Sequence, residues 1–257
     1  MKTVTGIVIL LIFLCVHLIK MMRLYLIVMD QKISFDRYVP AYLWTTLVNL
    51  VIPYKLGELF RIFVFYRITK NLSTGFFAVI TDRFFDTVAL VLILLPYQLL
   101  VSGHVTVPTI LLAVFVAVIV IAYMVFPTSA MFLNRYIITS RSSKRSMMAL
   151  AGIERAMNWY GDVRRLVIGR YGLLLLFSVA AWILEMTVLA GFTHIYGQKF
   201  TVSDFGAYIE SIVSGSSYEA KLWYTIASAA VIAVLSLVFT IRYCIKKKRG
   251  SAEAAGK

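Results

Sequence analysis

Long apolar runs, interrupted at intervals by short polar segments, repeat along the whole chain. The first predicted helix covers residues 4–28; it is uncharged from Val4 to Val16 and then carries His17, Lys20 and Arg23, which can snorkel toward an interface from that end. Further spanning helices are predicted at 76–101, 105–126, 171–196 and 222–243, each near the twenty or so residues that a bilayer crossing needs. Residues 39–52 and 55–68 differ: two apolar pieces of about 14 residues, each short for a crossing, meet around Pro53 and Gly57. Pro53 removes a backbone donor and Gly57 tolerates unusual dihedrals. The pattern fits a re-entrant hairpin whose break lines a cavity, or two tilted spans joined by a tight external turn.

The polar segments set an orientation. Residues 128–170 hold eight Lys and Arg against Glu154 and Asp162, and the segment after the last span reads Lys246-Lys-Lys-Arg249. Both are expected in the cytoplasm, which leaves 197–221 and the N-terminus outside and 29–75 inside. Within the basic segment, Met147, Leu150, Ala151 and Met157 fall on one side of a helix, but Glu154 shares that side and Trp159 lies away from it. A helix in the headgroup plane and a solvated connector both fit. Residues 250–257 are small and polar and are expected to be a disordered tail, leaving 1–249 as one transmembrane domain.

Composition agrees: 61% of the 257 residues are hydrophobic and 15% charged, too little polar surface for a water-soluble globule. The net charge of +14 belongs to the segments flanking apolar runs, so nucleic acid is not an expected partner. Cys15 and Cys244 suggest neither a disulfide framework nor a metal site, and His17, His104 and His194 show no metal-ligand spacing. No nucleophile motif or phosphate-cradling glycine loop is present, so neither enzymatic activity nor a cofactor is expected.

Charges inside apolar runs carry the functional signal, because each costs about 2.5 to 3.5 kcal/mol at mid-bilayer unless it finds a partner. Asp82 and Asp86 share a helix face with Arg83 turned about 100° away, and two acids beside one arginine require another cation. Arg61 and Lys55 are the candidates, with Glu58 as a further acid. Glu185 sits mid-span with Trp182 nearly a turn before it and is expected to be protonated or paired across helices. Arginines in such a cavity can grip a phosphate bidentately while carboxylates position them; static pairing between helices is the competing role.

The stretch Asn49-Leu-Val-Ile-Pro53-Tyr-Lys-Leu-Gly57-Glu58-Leu-Phe-Arg61, followed by Asp82-Arg83-Phe-Phe-Asp86, resembles the membrane domain of the lysylphosphatidylglycerol synthase transmembrane family. Lys20, Arg23, Trp182 and Glu185 are similar to its pattern more loosely. The resemblance implies an all-α polytopic membrane bundle with a broken or re-entrant helix pair and the trace of an inverted repeat. It departs in having one N-terminal helix fewer and in a blurred second motif, of which Gly215 and Glu219 are the expected remnants. With no aminoacyl-transfer domain, the chain is expected not to make lysyl-lipid. The implied function is flippase-like translocation of a phospholipid or a polyprenyl-phosphate-linked saccharide across the inner membrane. Membrane lipids, anionic or phosphate-bearing, would be the partners. Lys55, Arg61 and Arg83 would bind phosphate, with Asn49, Glu58, Asp82, Asp86 and Glu185 as the charge network. The alternative is a non-transporting accessory subunit of an envelope glycosyltransferase or lipid-modifying enzyme.

Overall fold

The computed structural model describes residues 2–52, 56–140, 144–195 and 219–255, and among these the secondary structure is helical. The helices are α1 (Lys2–Val28), α2 (Phe35–Val51), α3 (Leu56–Thr69), α4 (Leu72–Tyr97), α5 (Val107–Ser140), α6 (Lys144–Val167), α7 (Tyr171–Ile195) and α8 (Glu219–Ala255). Among the described residues, four stretches are long and apolar enough to cross a membrane: Gly6–Gln31, Val107–Thr139, Tyr171–Gly191 and Thr225–Lys246. The protein is a multi-pass membrane protein. α4 has comparable length, but Asp82, Arg83 and Asp86 interrupt its apolar run.

α1 lies antiparallel to α7, with Lys20 opposite Glu185 and Arg23 opposite Ser178. Their facing sides, together with α2 and α4, bury Val16, Leu24, Tyr38, Ala78, Ala89 and Leu189. Outward-facing positions such as Leu111, Met124 and Leu176 are apolar and exposed, as a lipid-facing surface requires.

The short pair α2–α3 is positioned by close helix approaches. α3 ends at Lys70, whose left-handed φ of 55° reverses the chain, and Asn71 then caps α4 by accepting from the Thr74 amide. A Cβ on Gly75 would come within 2.9 Å of the Tyr66 backbone nitrogen, so only glycine lets α4 lie this close to α3. At the other end, a Cβ on Gly57 would fall 2.5 Å from Asn49 Cα. Gly57 is thus required for helix contact: it lies inside α3, where the expected need for unusual dihedrals does not arise.

Residue register fixes how far this pair reaches. Glu58 and Arg83 form an ion pair and sit symmetrically about the Lys70–Asn71 turn, each about 18 Å away at 1.5 Å per residue. Beyond Arg83, α4 continues to Tyr97 without α3 beside it. On the opposite flank α2 runs antiparallel to α8, with Asp36 paired to Lys246 and Trp44 donating to Thr240 (2.9 Å). α2 stops seven residues after Trp44, whereas α8 extends 21 residues N-terminal of Thr240. Both flanking helices therefore outrun the pair, whose tip meets α4 near its middle.

Three sequence expectations are altered. Where the span predicted at 105–126 is expected to end, α5 continues to Ser140. Of the two alternatives for the basic segment a helix is found, α6, which folds back along α5, half-burying Leu150 and Met157 while Met147 and Ala151 stay exposed. The tail expected to be disordered is helical through Ala255, continuing α8 in a segment rich in alanine, the strongest helix former. Lys20 and Arg23 do not snorkel outward; they turn into the bundle, where carboxylates meet them. Pro53 and the blurred second motif up to Tyr218, including Gly215, lie outside the described residues; Glu219 opens α8.

Candidate functional site

Four helices, α1, α3, α4 and α7, bring charge to one place. On α4, Asp82 and Asp86 are one turn apart and face α1, which supplies Arg23. Its Nε donates to Asp82 Oδ1 (2.7 Å), and its Nη1 donates to Asp86 Oδ1 (2.7 Å) and Ser178 Oγ (2.8 Å). Ser178 passes its own proton to the Leu174 carbonyl, so its oxygen is aimed to accept from Arg23. Trp182, one turn further along α7, donates to the Asp86 carbonyl at 3.1 Å, and Lys20 lies 5.8 Å from its ring centroid while pairing with Glu185. Arg23, 2% exposed, is held by three short contacts.

Arg61 is nearly as buried, at 4% exposed, yet no short contact holds it. Its Nη2 is 3.4 Å from Thr46 Oγ1, its Nη1 is 3.7 Å from Asp82 Oδ2 and 4.0 Å from Glu58 Oε2, and its Nε has no hydrogen-bond partner. Charge-assisted N–H···O bonds normally close to about 2.7 to 2.9 Å. Glu58 spends its other oxygen elsewhere: Oε1 accepts from Asn49 Nδ2 (2.8 Å) and pairs with Arg83, while Oε2 has no hydrogen-bond partner. Arg83 also approaches Asp86 Oδ2 at 3.6 Å and remains partly exposed at the rim.

These groups surround a cavity of about 160 Å³, to which α1 adds His17 and α2 adds Tyr42, Thr46 and Asn49. Among the described residues, four cations (Lys20, Arg23, Arg61, Arg83) face four carboxylates (Glu58, Asp82, Asp86, Glu185), so the network is formally neutral. Neutrality is what makes eight charges tolerable among apolar helices.

A family model described as the lysylphosphatidylglycerol synthase TM region matches residues 2–209. The chain belongs to this family. No curated protein and no solved structure matches it.

The motif positions of this lysylphosphatidylglycerol synthase TM member converge in space. Asn49, Glu58, Arg61, Asp82, Arg83 and Asp86 all border or brace the one cavity, and Glu185 joins through Lys20. Lys55 lies outside the described residues. The extra cation demanded by the two aspartates is Arg23 first and Arg61 second. The spacing of His17, Lys20 and Arg23 by three residues keeps them on one side of α1, the signal that points inward rather than to an interface. Tyr38, Tyr42, Thr46 and Asn49 likewise recur at helical spacing and form the polar stripe of α2 that sequence reading missed.

Proposed function

We propose that this protein carries a lipid with a phosphate-bearing headgroup, a phospholipid or a polyprenyl-phosphate-linked saccharide, between the leaflets of the inner (plasma) membrane, and that it catalyses no covalent step. The observation that supports this most is Arg61: a buried guanidinium beside a cavity, with its Nε unbonded and its remaining contacts loose. A phosphate can satisfy that fork bidentately, replacing long contacts with short ones. Arg83, half free at the rim, meets the headgroup on entry, while Glu58 hands its pairing from one arginine to the other. The lipid's tails stay in the bilayer, so a cavity large enough for a headgroup suffices.

The α2–α3 pair acts as a re-entrant hairpin, with its tip holding the headgroup near mid-depth. The basic segment between α5 and α7 and the C-terminus face the cytoplasm, following the bias of Lys and Arg. The test is leaflet exchange of fluorescent phospholipid and polyprenyl-phosphate-sugar analogues in proteoliposomes. Exchange of one lipid class, reduced about tenfold or more in Arg61→Ala, is expected, since a lost charge-assisted hydrogen bond is worth about 1.5 to 3 kcal/mol. No exchange of either class by folded wild-type protein would replace this reading with that of an accessory subunit.

A further inference from the structure

α5 is too long for its membrane. Its apolar stretch Val107–Thr139 spans about 50 Å against a hydrocarbon core of roughly 30 Å. The end of the bundle is marked where Tyr123 hydrogen-bonds to Tyr171 (3.0 Å), the first residue of α7, beside Arg170, which holds the Leu26 carbonyl and Asp30. α5 runs 17 residues past that point, with α6 folded along it from Tyr160, whose ring lies against Tyr123 and Phe126.

This protruding half of α5 exposes apolar side chains on several sides, with Asn134 and Arg135 exposed between them. Between residues 128 and 139 only Ala130 is buried, and Met131, Phe132, Leu133, Tyr136 and Ile138 are all exposed. At about 100° per residue these five point in widely different directions. A protein groove covers one face of a helix; a helix apolar on several sides fits lipid. α6 is more polar, exposing Glu154, Arg155, Asn158, Arg164 and Arg165 alongside Met147, Met148 and Trp159. The whole segment 128–170 carries eight basic residues against two acidic, and one of those acids, Asp162, already accepts from Ser73. Pro127, just past Tyr123, removes one backbone donor where the helix must change course.

We infer that the α5–α6 hairpin is a membrane-surface foot for anionic lipid: the end of α5 sinks into the leaflet boundary, and α6 rides above it with its arginines among anionic headgroups. The foot lies on the side to which the basic segment is assigned above, and it does not depend on lipid translocation.

The experiment uses full-length protein with Cys15 and Cys244 replaced by serine and a spin label at Phe132→Cys, Tyr136→Cys or Arg155→Cys, in nanodiscs of phosphatidylcholine with or without phosphatidylglycerol. With phosphatidylglycerol, oxygen should reach labels at 132 and 136 severalfold better than an aqueous nickel reagent does, the reverse should hold at 155, and the label at 155 should lose mobility relative to neutral discs. Nickel access at both 132 and 136 would overturn the foot. Shielding of 132 and 136 from both reagents would overturn it in favour of a protein contact. Equal mobility at 155 in the two lipids would overturn the anionic assignment.

Discussion

Two buried arginines that face the same aspartate, Asp82, are held in opposite ways. Arg23 makes contacts of 2.7, 2.7 and 2.8 Å to two carboxylates and a hydroxyl on two helices, while Arg61 makes none closer than 3.4 Å. The difference follows from their scaffolds. Arg23 stands on a full-length helix clamped between α4 and α7, whose acceptors are themselves fixed by the Leu174 carbonyl and Trp182. Arg61 stands on a short helix that ends beside the cavity; its nearest acid, Asp82, already accepts from Arg23, and Glu58 is bonded to Asn49 and Arg83. A saturated buried charge holds helices together; an unsaturated one is ready for a ligand.

The comparison can be broken at several points. Arg23→Ala should have the largest effect, because it leaves Asp82 and Asp86 with the longer contacts to Arg61 and Arg83 in place of short charge-assisted bonds: a loss of about 3 to 5 kcal/mol, seen as a sharply lowered unfolding temperature in detergent or as failure to fold. Normal stability in that variant would deny the locked half its structural role. Gly57→Ala should come next. Its Cβ must displace the backbone of Asn49, a clash expected to cost about 1 to 3 kcal/mol in thermal unfolding and to separate the hairpin tip from the cavity. Smaller again is the coupling between Glu58 and Arg83. A double-mutant cycle on lipid exchange with Glu58→Gln and Arg83→Gln should yield about 0.5 to 3 kcal/mol, whereas strict additivity would mean that the two act apart. Least of all, Lys246→Ala should shift stability by under about 1 kcal/mol, since its pair with Asp36 is exposed at the bundle's edge.

The architecture was legible because the bilayer forces apolar helices on any spanning segment, and the uncharged runs of α5 and α8 could mean little else. The charged cluster was legible for the same reason in reverse: Asp82, Asp86 and Glu185 are too costly to leave without partners. Pairing was harder to read. Periodicity places a side chain on a face of its own helix but does not say which helix packs there, so Arg23 and Lys20 could be taken for interfacial residues until α1 was seen against α4 and α7. The function of Gly57 was misread because close approach between helices is a tertiary fact, whereas unusual dihedrals are the local inference glycine invites. α6 was ambiguous because its apolar side is partly consumed by α5, which left its pattern too weak to assign from one helix alone.

The unsaturated arginine is tested most directly by two readings on one variant. Arg61→Gln, which keeps a polar, hydrogen-bonding side chain but removes the charge, should unfold within a few degrees of wild type in detergent and lose lipid exchange in proteoliposomes by about tenfold or more. Exchange undiminished in a stably folded Arg61→Gln protein would contradict the proposed function, because no bound phosphate would then have depended on this loosely held, buried cation beside the cavity.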